Sequence, residues 1–184
     1  LVNSGNYGPF YFWGGGSSEK QYATGAGSGI IIKQTDDELL ILTNDHVVDG
    51  AEELSVQFYD EKSYDAVIKG TSSSDDVAVI AVKISSIDSD TLESIKIATI
   101  GDSNELKVGN GVIAIGNALG YGQSVTSGVV SALHRDVTLD DTTREMIQMD
   151  AAINGGNSGG ALLNSRGEVV GICEAKYSSS TSSG

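Results

Sequence analysis

Residues 150–162 read Asp-Ala-Ala-Ile-Asn-Gly-Gly-Asn-Ser-Gly-Gly-Ala-Leu and set one serine, Ser158, among four glycines. Glycine permits positive φ and a close backbone approach to a ligand, so the amides of Gly156 and Ser158 can converge on one point. Two such donors form an oxyanion hole, and each contributes about 3 kcal/mol to stabilising a developing negative charge. We include Asn157, which lies between them, in this predicted site. Taken alone, the segment also fits a glycine-rich turn with an idle serine.

A serine hydroxyl becomes a nucleophile at neutral pH only with a general base nearby, and the chain has two histidines. His46 stands at the end of an apolar run, where a rigid strand can present its ring to a cleft. His134 lies beside Arg135 and Asp136 and opens a charged segment, so we interpret it as a solvated loop residue. The pattern therefore favours His46 as the base.

The base in turn needs a carboxylate that fixes its tautomer and stabilises the imidazolium. Asp76 directly precedes a strongly apolar run and can be held partly desolvated there, whereas Asp75 lies one residue nearer to solvent. Asp45 is adjacent to His46, but successive side chains at a strand end diverge, so we expect Asp45 to be a surface charge. Asp76 is the predicted orienting carboxylate.

Short β-branched runs recur between glycine, serine and aspartate residues and predict an all-β fold. With 24 glycines and almost no helical periodicity, the pattern suits a sandwich or a pair of barrels. The best helical candidate is one turn at residues 45–49, which Thr43 and Asn44 can cap. The predicted strands lie at 30–32, 39–43, 54–59, 64–69, 77–84, 112–115, 125–133, 146–149 and 169–173.

Length and charge limit the domain organisation and the partners. A chain of 184 residues fits one compact unit. Its 11 lysines and arginines against 25 aspartates and glutamates give a net charge of -14, which repels polyanions and argues against a nucleic-acid partner. The single cysteine, Cys173, allows no intramolecular disulfide, so the core must hold the fold. No apolar run approaches the roughly 20 residues of a membrane helix, and no signal peptide is visible.

Two segments of biased composition flank these runs. Residues 3–22 are rich in glycine and carry an aromatic cluster, which either covers the end of a barrel or makes a subunit contact. Residues 178–184 contain only serine, threonine and glycine and are typical of a flexible linker or exposed loop. The aromatic cluster consists of Phe10, Tyr11, Phe12 and Trp13.

Seven motifs follow one another between about residues 25 and 175. They are Thr-Asn-Asp-His-Val-Val at 43–48, Asp-Val-Ala-Val-Ile at 76–80, Gly-Asp-Ser at 101–103, Val-Gly at 108–109, Ile-Gly-Asn-Ala-Leu-Gly at 115–120, Thr-Ser-Gly-Val-Val-Ser at 126–131, and Gln-Met-Asp-Ala-Ala-Ile-Asn at 148–154 with Gly-Asn-Ser-Gly-Gly at 156–160. The order His46, Asp76, Ser158 is that of chymotrypsin-like proteases. In these motifs the chain resembles the HtrA (Deg) family of trypsin-like serine proteases.

The resemblance implies two six-stranded antiparallel β-barrels of the chymotrypsin type, with the triad in the cleft between them. The first barrel is then expected at about residues 1–105 and the second at about 106–184. It also implies ATP-independent cleavage of unfolded or misfolded proteins in extracytoplasmic quality control, without a cofactor or a metal. We expect the full-length protein to be a homotrimer with a PDZ domain that is absent from this protease-domain fragment.

Two other functions fit parts of the pattern. A holdase chaperone or binding module would keep the protease fold while its active site stays disordered, although all three triad residues are present. A hydrolase of small esters is less favoured, because a shallow cleft suits an extended peptide better than a buried small ligand.

The resemblance also bears on activation. Digestive relatives pair a cleaved N-terminal ammonium with an aspartate just before the serine, and this chain has the neutral Asn157 there. Zymogen activation is therefore not expected, and ordering of loops would control the oxyanion hole instead. The family's sensor loop falls by position at residues 134–145, with Arg135 as the candidate relay.

The substrate pocket is predicted from positions relative to Ser158. Ala152 stands six residues before it and is followed by Ile153, so one wall should be apolar and offer no anchor for lysine or arginine. Family members favour small aliphatic residues in this pocket. The opposite wall falls on Lys176 and Tyr177, which place a cation or a phenol at the rim and depart from the family pattern.

Overall fold

Strands dominate the fold in the computed structural model, which describes residues 2–6, 23–117, 123–139, 142–154 and 156–174. Within those ranges the strands are β1 Val2–Asn6, β2 Ala23–Gly27, β3 Ile30–Gln34, β4 Glu38–Thr43, β5 Glu53–Gln57, β6 Ser63–Ser72, β7 Val77–Lys83, β8 Gly111–Gly116, β9 Ser124–Leu139, β10 Thr142–Met149, β11 Ala161–Leu163 and β12 Val169–Ile172. The helices are α1 Asp45–Val48 and α2 Ser89–Ser94, with 3-10 turns at Ile84–Ser86 and Ser103–Glu105. No helix in these ranges is long and apolar enough to cross a membrane.

The strands form two antiparallel sheets. The first has the order β2-β1-β5-β6-β7-β4-β3 and the second the order β10-β9-β8-β11-β12. The predicted all-β, trypsin-like class is confirmed. In the described part of the chain the first sheet has seven strands and the second has five, where six were predicted in each half.

Each sheet covers its own apolar core. The burial of β4 alternates residue by residue, as expected for a strand with one face on a core. Its inward side chains Leu39 and Ile41 pack with Ile80 of β7 in the first core. Val112, Val130 and other apolar residues form the second. Buried Cys173 belongs to the second core, and burial raises the pKa of its thiol to about 12, so it remains a neutral packing group.

The helical turn predicted at residues 45–49 is present as α1, but two details of the prediction are wrong. The side chain of Asn44 makes no capping hydrogen bond, because it is used elsewhere in the site. Asp45 is buried rather than exposed, because α1 lies against the strands of the first sheet.

Hydrogen bonds join the first sheet to the loop before β11. The amide of Ser28, in the turn between β2 and β3, donates to the carbonyl of Ser158 at 2.7 Å. The hydroxyl of Thr43, at the end of β4, donates to the carbonyl of Ser28 at 2.7 Å. Three segments that are distant in sequence are thereby fixed around Ser158. The aromatic cluster at 10–13 and the tail at 178–184 lie outside the described residues.

Candidate active site

His46 and Asp76 meet at the ends of two elements of the first sheet. His46 lies in α1, directly after β4, and Asp76 directly precedes β7, which pairs with β4. Nδ1 of His46 lies 2.7 Å from Oδ2 of Asp76, and the His46 amide donates to Oδ1 at 2.9 Å. Both carboxylate oxygens therefore hold the histidine, and Nε2 is the ring nitrogen left for proton transfer with a substrate or hydroxyl.

The surroundings of Asp76 keep its carboxylate ionised. Burial favours the neutral acid, but the hydrogen bonds from the ring and amide of His46 outweigh it, so the pKa of Asp76 is lowered. Its φ of 53° is in the left-handed region, which is unusual for a residue other than glycine. Such backbone conformations persist when the surrounding contacts enforce them, and they cluster at functional sites.

Asn44 connects Asp76 to the glycine-rich turn. Its Nδ2 donates to the carbonyl of Asp76 at 2.8 Å, and its Oδ1 accepts from the amide of Gly159 at 2.7 Å. The residue is buried, so both bonds form away from water. One amide side chain thus fixes the backbone of the orienting carboxylate relative to that of the residue after Ser158. Its place two residues before His46 was the only sequence signal for this role.

The turn that carries Ser158 depends on glycine conformations. Gly156 and Gly159 have φ values of 95° and 81°, which disfavour residues with a Cβ. A Cβ at Gly159 would overlap the carbonyl of Ser28 and the hydroxyl of Thr43. Ser158 itself is buried, with its carbonyl held by the Ser28 amide. The pattern of glycines around the serine therefore has a geometric cause.

The backbone amide of Asn157 does not fit its predicted role as an oxyanion donor. Its amide donates to the carbonyl of Asn154 at 3.0 Å, so that donor is engaged within the turn. We therefore leave Asn157 out of the oxyanion donors. Its side chain is buried, and its Oδ1 accepts from the hydroxyl of Ser124 at 3.3 Å. A neutral amide is thus held where digestive relatives carry a paired aspartate.

Ser28 was not singled out by the sequence, yet its hydroxyl bridges two loops of the second half. It donates to the carbonyl of Gly156 at 2.7 Å and accepts from the amide of Asn117 at 2.7 Å. The first bond fixes the direction of the peptide that follows Gly156. Ser28 has this role only because the fold brings it next to two segments that are distant in sequence. No local sequence pattern predicts it.

Of the predicted pocket residues, two are described. Ala152 is exposed, and its carbonyl accepts from the hydroxyl of Thr126 at 3.0 Å. Ile153 is half-buried and packs against the second core. Lys176 and Tyr177 lie outside the described residues.

The segment expected as a sensor loop is largely a β-hairpin. Residues 134–139 belong to β9 and residues 142–145 to β10, so the loop assignment of His134 and Arg135 is wrong, because the polar run pairs across the hairpin. Both side chains are exposed, and Nδ1 of His134 lies 2.8 Å from Oε1 of Glu145. Arg135 stands opposite Met146 in the pairing.

A second carboxyl, Glu174, lies beside the His46 and Asp76 pair. One ligand atom from each of these three residues lies within 4.8 Å of the others. These are the atoms that could hold a metal ion. The guanidinium of Arg144 contacts Glu174 at 3.3 Å, so a cation there would meet a positive charge, and we interpret the group as a charge network.

Comparison with known proteins matches most of the chain to serine proteases. A family model described as a trypsin-like peptidase domain matches residues 27–172. The periplasmic serine endoprotease DegP of Escherichia coli K12 is 43% identical over 159 residues, which are 86% of this chain and 32% of DegP. The serine protease Do-like HtrA of Bacillus subtilis is 41% identical over 167 residues, which are 88% of this chain and 36% of that protein.

Two solved structures that match the fold of this chain are also HtrA-type proteases. The HtrA-type protease AlgW with a decapeptide superposes with a TM-score of 0.72 at 30% identity, over 95% of this chain and 54% of the solved chain. The same protease with a tripeptide gives a TM-score of 0.69 at 33% identity, over 93% and 49%. This chain thus spans about one third of the length of the two curated relatives and about half of the solved chains.

Proposed function

Since this chain belongs to the trypsin-like peptidase family, and within it to the HtrA (Deg) serine proteases, we propose that it is a serine endopeptidase acting on unfolded polypeptides. Ser158 is the proposed nucleophile, His46 the general base and Asp76 the carboxylate that orients it. The observation that carries the proposal is the 2.7 Å contact between Nδ1 of His46 and Oδ2 of Asp76. This contact fixes which nitrogen of His46 can act as the base.

Acylation begins when Oγ of Ser158 attacks the carbonyl carbon of the substrate and His46 Nε2 takes the hydroxyl proton. The electron pair of the carbonyl moves to its oxygen, and the amides of Gly156 and Ser158 stabilise that oxyanion. When the tetrahedral intermediate collapses, the carbon-nitrogen bond breaks and the imidazolium returns its proton to the leaving amine. The ionised Asp76 stabilises the imidazolium during both transfers.

Deacylation repeats these steps with water as the nucleophile. His46 removes a proton from water as its oxygen attacks the acyl carbon, and then returns a proton to Oγ of Ser158 as the ester bond breaks. The products are a new carboxyl terminus, a new amino terminus and the original enzyme. No cofactor or metal takes part in this scheme.

The proposed substrates are unfolded or misfolded proteins outside the cytoplasm. An extended chain can enter a cleft between two sheets and pair with a strand edge, whereas a folded protein offers few such segments. A relative named as a periplasmic endoprotease supports the extracytoplasmic location. We further propose that the full-length protein is a homotrimer and carries a PDZ domain. Size-exclusion chromatography with light scattering on the full-length protein would test the assembly.

The primary pocket is proposed to accept uncharged side chains. Ala152 and Ile153 supply no carboxylate to anchor a lysine or arginine of the substrate, and Ile153 lies against an apolar core. Cleavage is therefore expected mainly after small aliphatic residues.

The test is digestion of reduced, unfolded casein by the purified chain, with Ser158→Ala as the matched control and cleavage sites read by mass spectrometry. The proposal predicts fragments with the wild-type chain and none with the variant. Equal fragmentation by both would assign the activity to a contaminant. No cleavage by a folded wild-type chain, together with suppressed aggregation of the casein, would favour the holdase function.

A further inference from the structure

Arg144 ties the second sheet to the loop that leads into Asp76. From β10 its Nε donates to the carbonyl of Ser74 at 2.8 Å, and one terminal nitrogen donates to the carbonyl of Ser73 at 3.0 Å. Its other terminal nitrogen bonds Oε1 of Glu174 at 3.3 Å. The side chain is 14% exposed, so these contacts are largely shielded from water. All three guanidinium nitrogens of Arg144 are therefore engaged in hydrogen bonds that join β10 to the loop before Asp76 and to Glu174.

Glu174 is the partner that brings this arrangement to the active site. Its side chain is only 5% exposed, and its carboxyl lies beside that of Asp76, within 4.8 Å of both Asp76 and His46. The charged and titratable groups that face Glu174 in the described ranges are Asp76, His46 and Arg144. A buried glutamate beside a second carboxylate is unfavourable when both are ionised, so neighbouring contacts must compensate it or it must hold a proton.

We infer that Glu174 is a positioning residue for the His46 and Asp76 pair, and that Arg144 sets how strongly pH controls that pair. The inference rests on the proposed serine mechanism and adds a residue to it. When protonated, Glu174 can donate a hydrogen bond to the carboxylate of Asp76. When ionised, it adds a second negative charge near His46 and favours the imidazolium that forms during the reaction.

The protonation of Glu174 follows from its contacts. Burial and then the charge of Asp76 raise the pKa of Glu174, while Arg144 and His46 act in the opposite direction. The pKa of Glu174 is therefore raised above its ordinary value, towards the pH range in which a histidine changes charge. Two linked protons, rather than one, should then shape the acid side of the activity profile.

The test compares kcat/KM against pH for wild type, Glu174→Gln and Arg144→Met with a short peptide substrate. Removing the carboxylate charge should move the acid limb of Glu174→Gln by about one pH unit to lower pH. It should also make the limb a single-proton curve. Removing the guanidinium leaves the two carboxyls uncompensated and should move the limb of Arg144→Met to higher pH. Opposite shifts are not expected if the residues serve packing alone.

A remote arginine and carboxylate pair supplies the matched control. Arg166 lies 2.9 Å from Glu105 on the surface, so Glu105→Gln and Arg166→Met should give the wild-type profile. Superimposable acid limbs for wild type and Glu174→Gln would overturn the inference, as would shifts of the two site variants in the same direction. Such results would leave the serine mechanism intact as long as the wild-type chain cleaves and Ser158→Ala does not.

A second measurement needs no activity. Because the pKa of Glu174 is raised in the folded state, wild type should lose stability as pH rises through that pKa, whereas Glu174→Gln should not. Urea unfolding should be measured between about pH 4 and pH 8. The urea concentration at the midpoint should rise for the variant relative to wild type as the pH approaches neutral. A midpoint difference that stays constant with pH would contradict the inference.

Discussion

Asp76 has two unfavourable features, a buried charge and a left-handed backbone. Each feature costs of the order of 1–3 kcal/mol unless neighbouring groups compensate it. Two hydrogen bonds from His46 satisfy the carboxylate, and one from Asn44 satisfies the carbonyl. The local cost is therefore balanced by contacts that also aim the histidine ring.

Replacing this carboxylate tests its role directly. In Asp76→Asn the side chain keeps its size, but its amide can donate to His46 and so favour the wrong tautomer. We expect kcat to fall by about four orders of magnitude, the loss known for the corresponding change in the chymotrypsin-type template. Steady-state kinetics would measure it, with circular dichroism to verify the fold. A loss below tenfold would mean that Asp76 does not orient the base.

Ser28 offers a second test at the same scale. Ser28→Ala leaves the carbonyl of Gly156 and the amide of Asn117 without their shared partner, at a cost of about 1–3 kcal/mol. We expect kcat to fall about tenfold with little change in KM, because the oxyanion turn loses its fixed direction. Ser165→Ala, in the exposed turn between β11 and β12, is the control. Equal kinetics for both variants would remove Ser28 from the site.

At this scale the sequence identifies residues with a local signature and misses those defined by contacts across the chain. His46 and Asp76 were selected by their places beside apolar runs, and the structure brings them together. Asn44 was interpreted as a helix cap, which its position also fits. Arg144 and Glu174 are separated by 30 residues and meet only because their strands and loop converge. No spacing rule identifies such a pair.

β7, which directly follows Asp76, has four buried residues among its seven and lies at the centre of the first core. Within it, Ile80 is fully buried against Leu39 and Ile41. Ile80→Ala should lower the free energy of unfolding by about 2–5 kcal/mol and weaken activity, because β7 carries Asp76 at its start. Chemical denaturation would measure the first effect.

The control for this change lies on the neighbouring strand. Ile68 of β6 pairs with Ile80 in the register but is 43% exposed. Ile68→Ala should change stability by only about 0.5 kcal/mol. Similar losses in both variants would contradict the assignment of Ile80, rather than Ile68, to the first core.

Nine strands were predicted from β-branched runs, and each overlaps an observed strand, although those predicted at 54–59, 77–84 and 169–173 run one or two residues too far. The sequence missed β1 and β2, whose residues include glycine, serine and asparagine, and the three-residue β11. These strands are formed by pairing with neighbours rather than by their own propensity. The outer part of the hairpin from β9 to β10 was interpreted as a loop, because its polar residues show no buried face.

For the whole molecule, the two cores are distinct but the site depends on both. Ser28 and Asn44 from the first sheet bond the turn that carries Ser158, and Arg144 from the second sheet bonds the loop before Asp76. A change in the way the sheets meet would therefore alter the nucleophile and the base together. This coupling explains why so short a turn can be held in an unusual conformation.

The net charge of -14 predicts which unfolded chains are cleaved fastest. A basic substrate should be attracted to the enzyme and an acidic one repelled, with both effects screened by salt. For two peptides with the same cleavage site and opposite flanking charge, we expect the basic one to have a higher kcat/KM at low ionic strength. Their values should converge at about 1 M salt. A preference that persists unchanged at high salt would point to direct contacts instead.

The most direct test of the proposed catalytic serine and histidine is covalent labelling with diisopropyl fluorophosphate, followed by intact-mass and peptide mass spectrometry. An activated serine displaces fluoride and forms a stable phosphoester, whereas unactivated hydroxyls react far more slowly. We expect one adduct, on Ser158, with strongly reduced labelling in His46→Ala and none in Ser158→Ala. Labelling of wild type at another residue, or equal labelling of wild type and His46→Ala, would contradict the assignment of Ser158 and His46 as nucleophile and base.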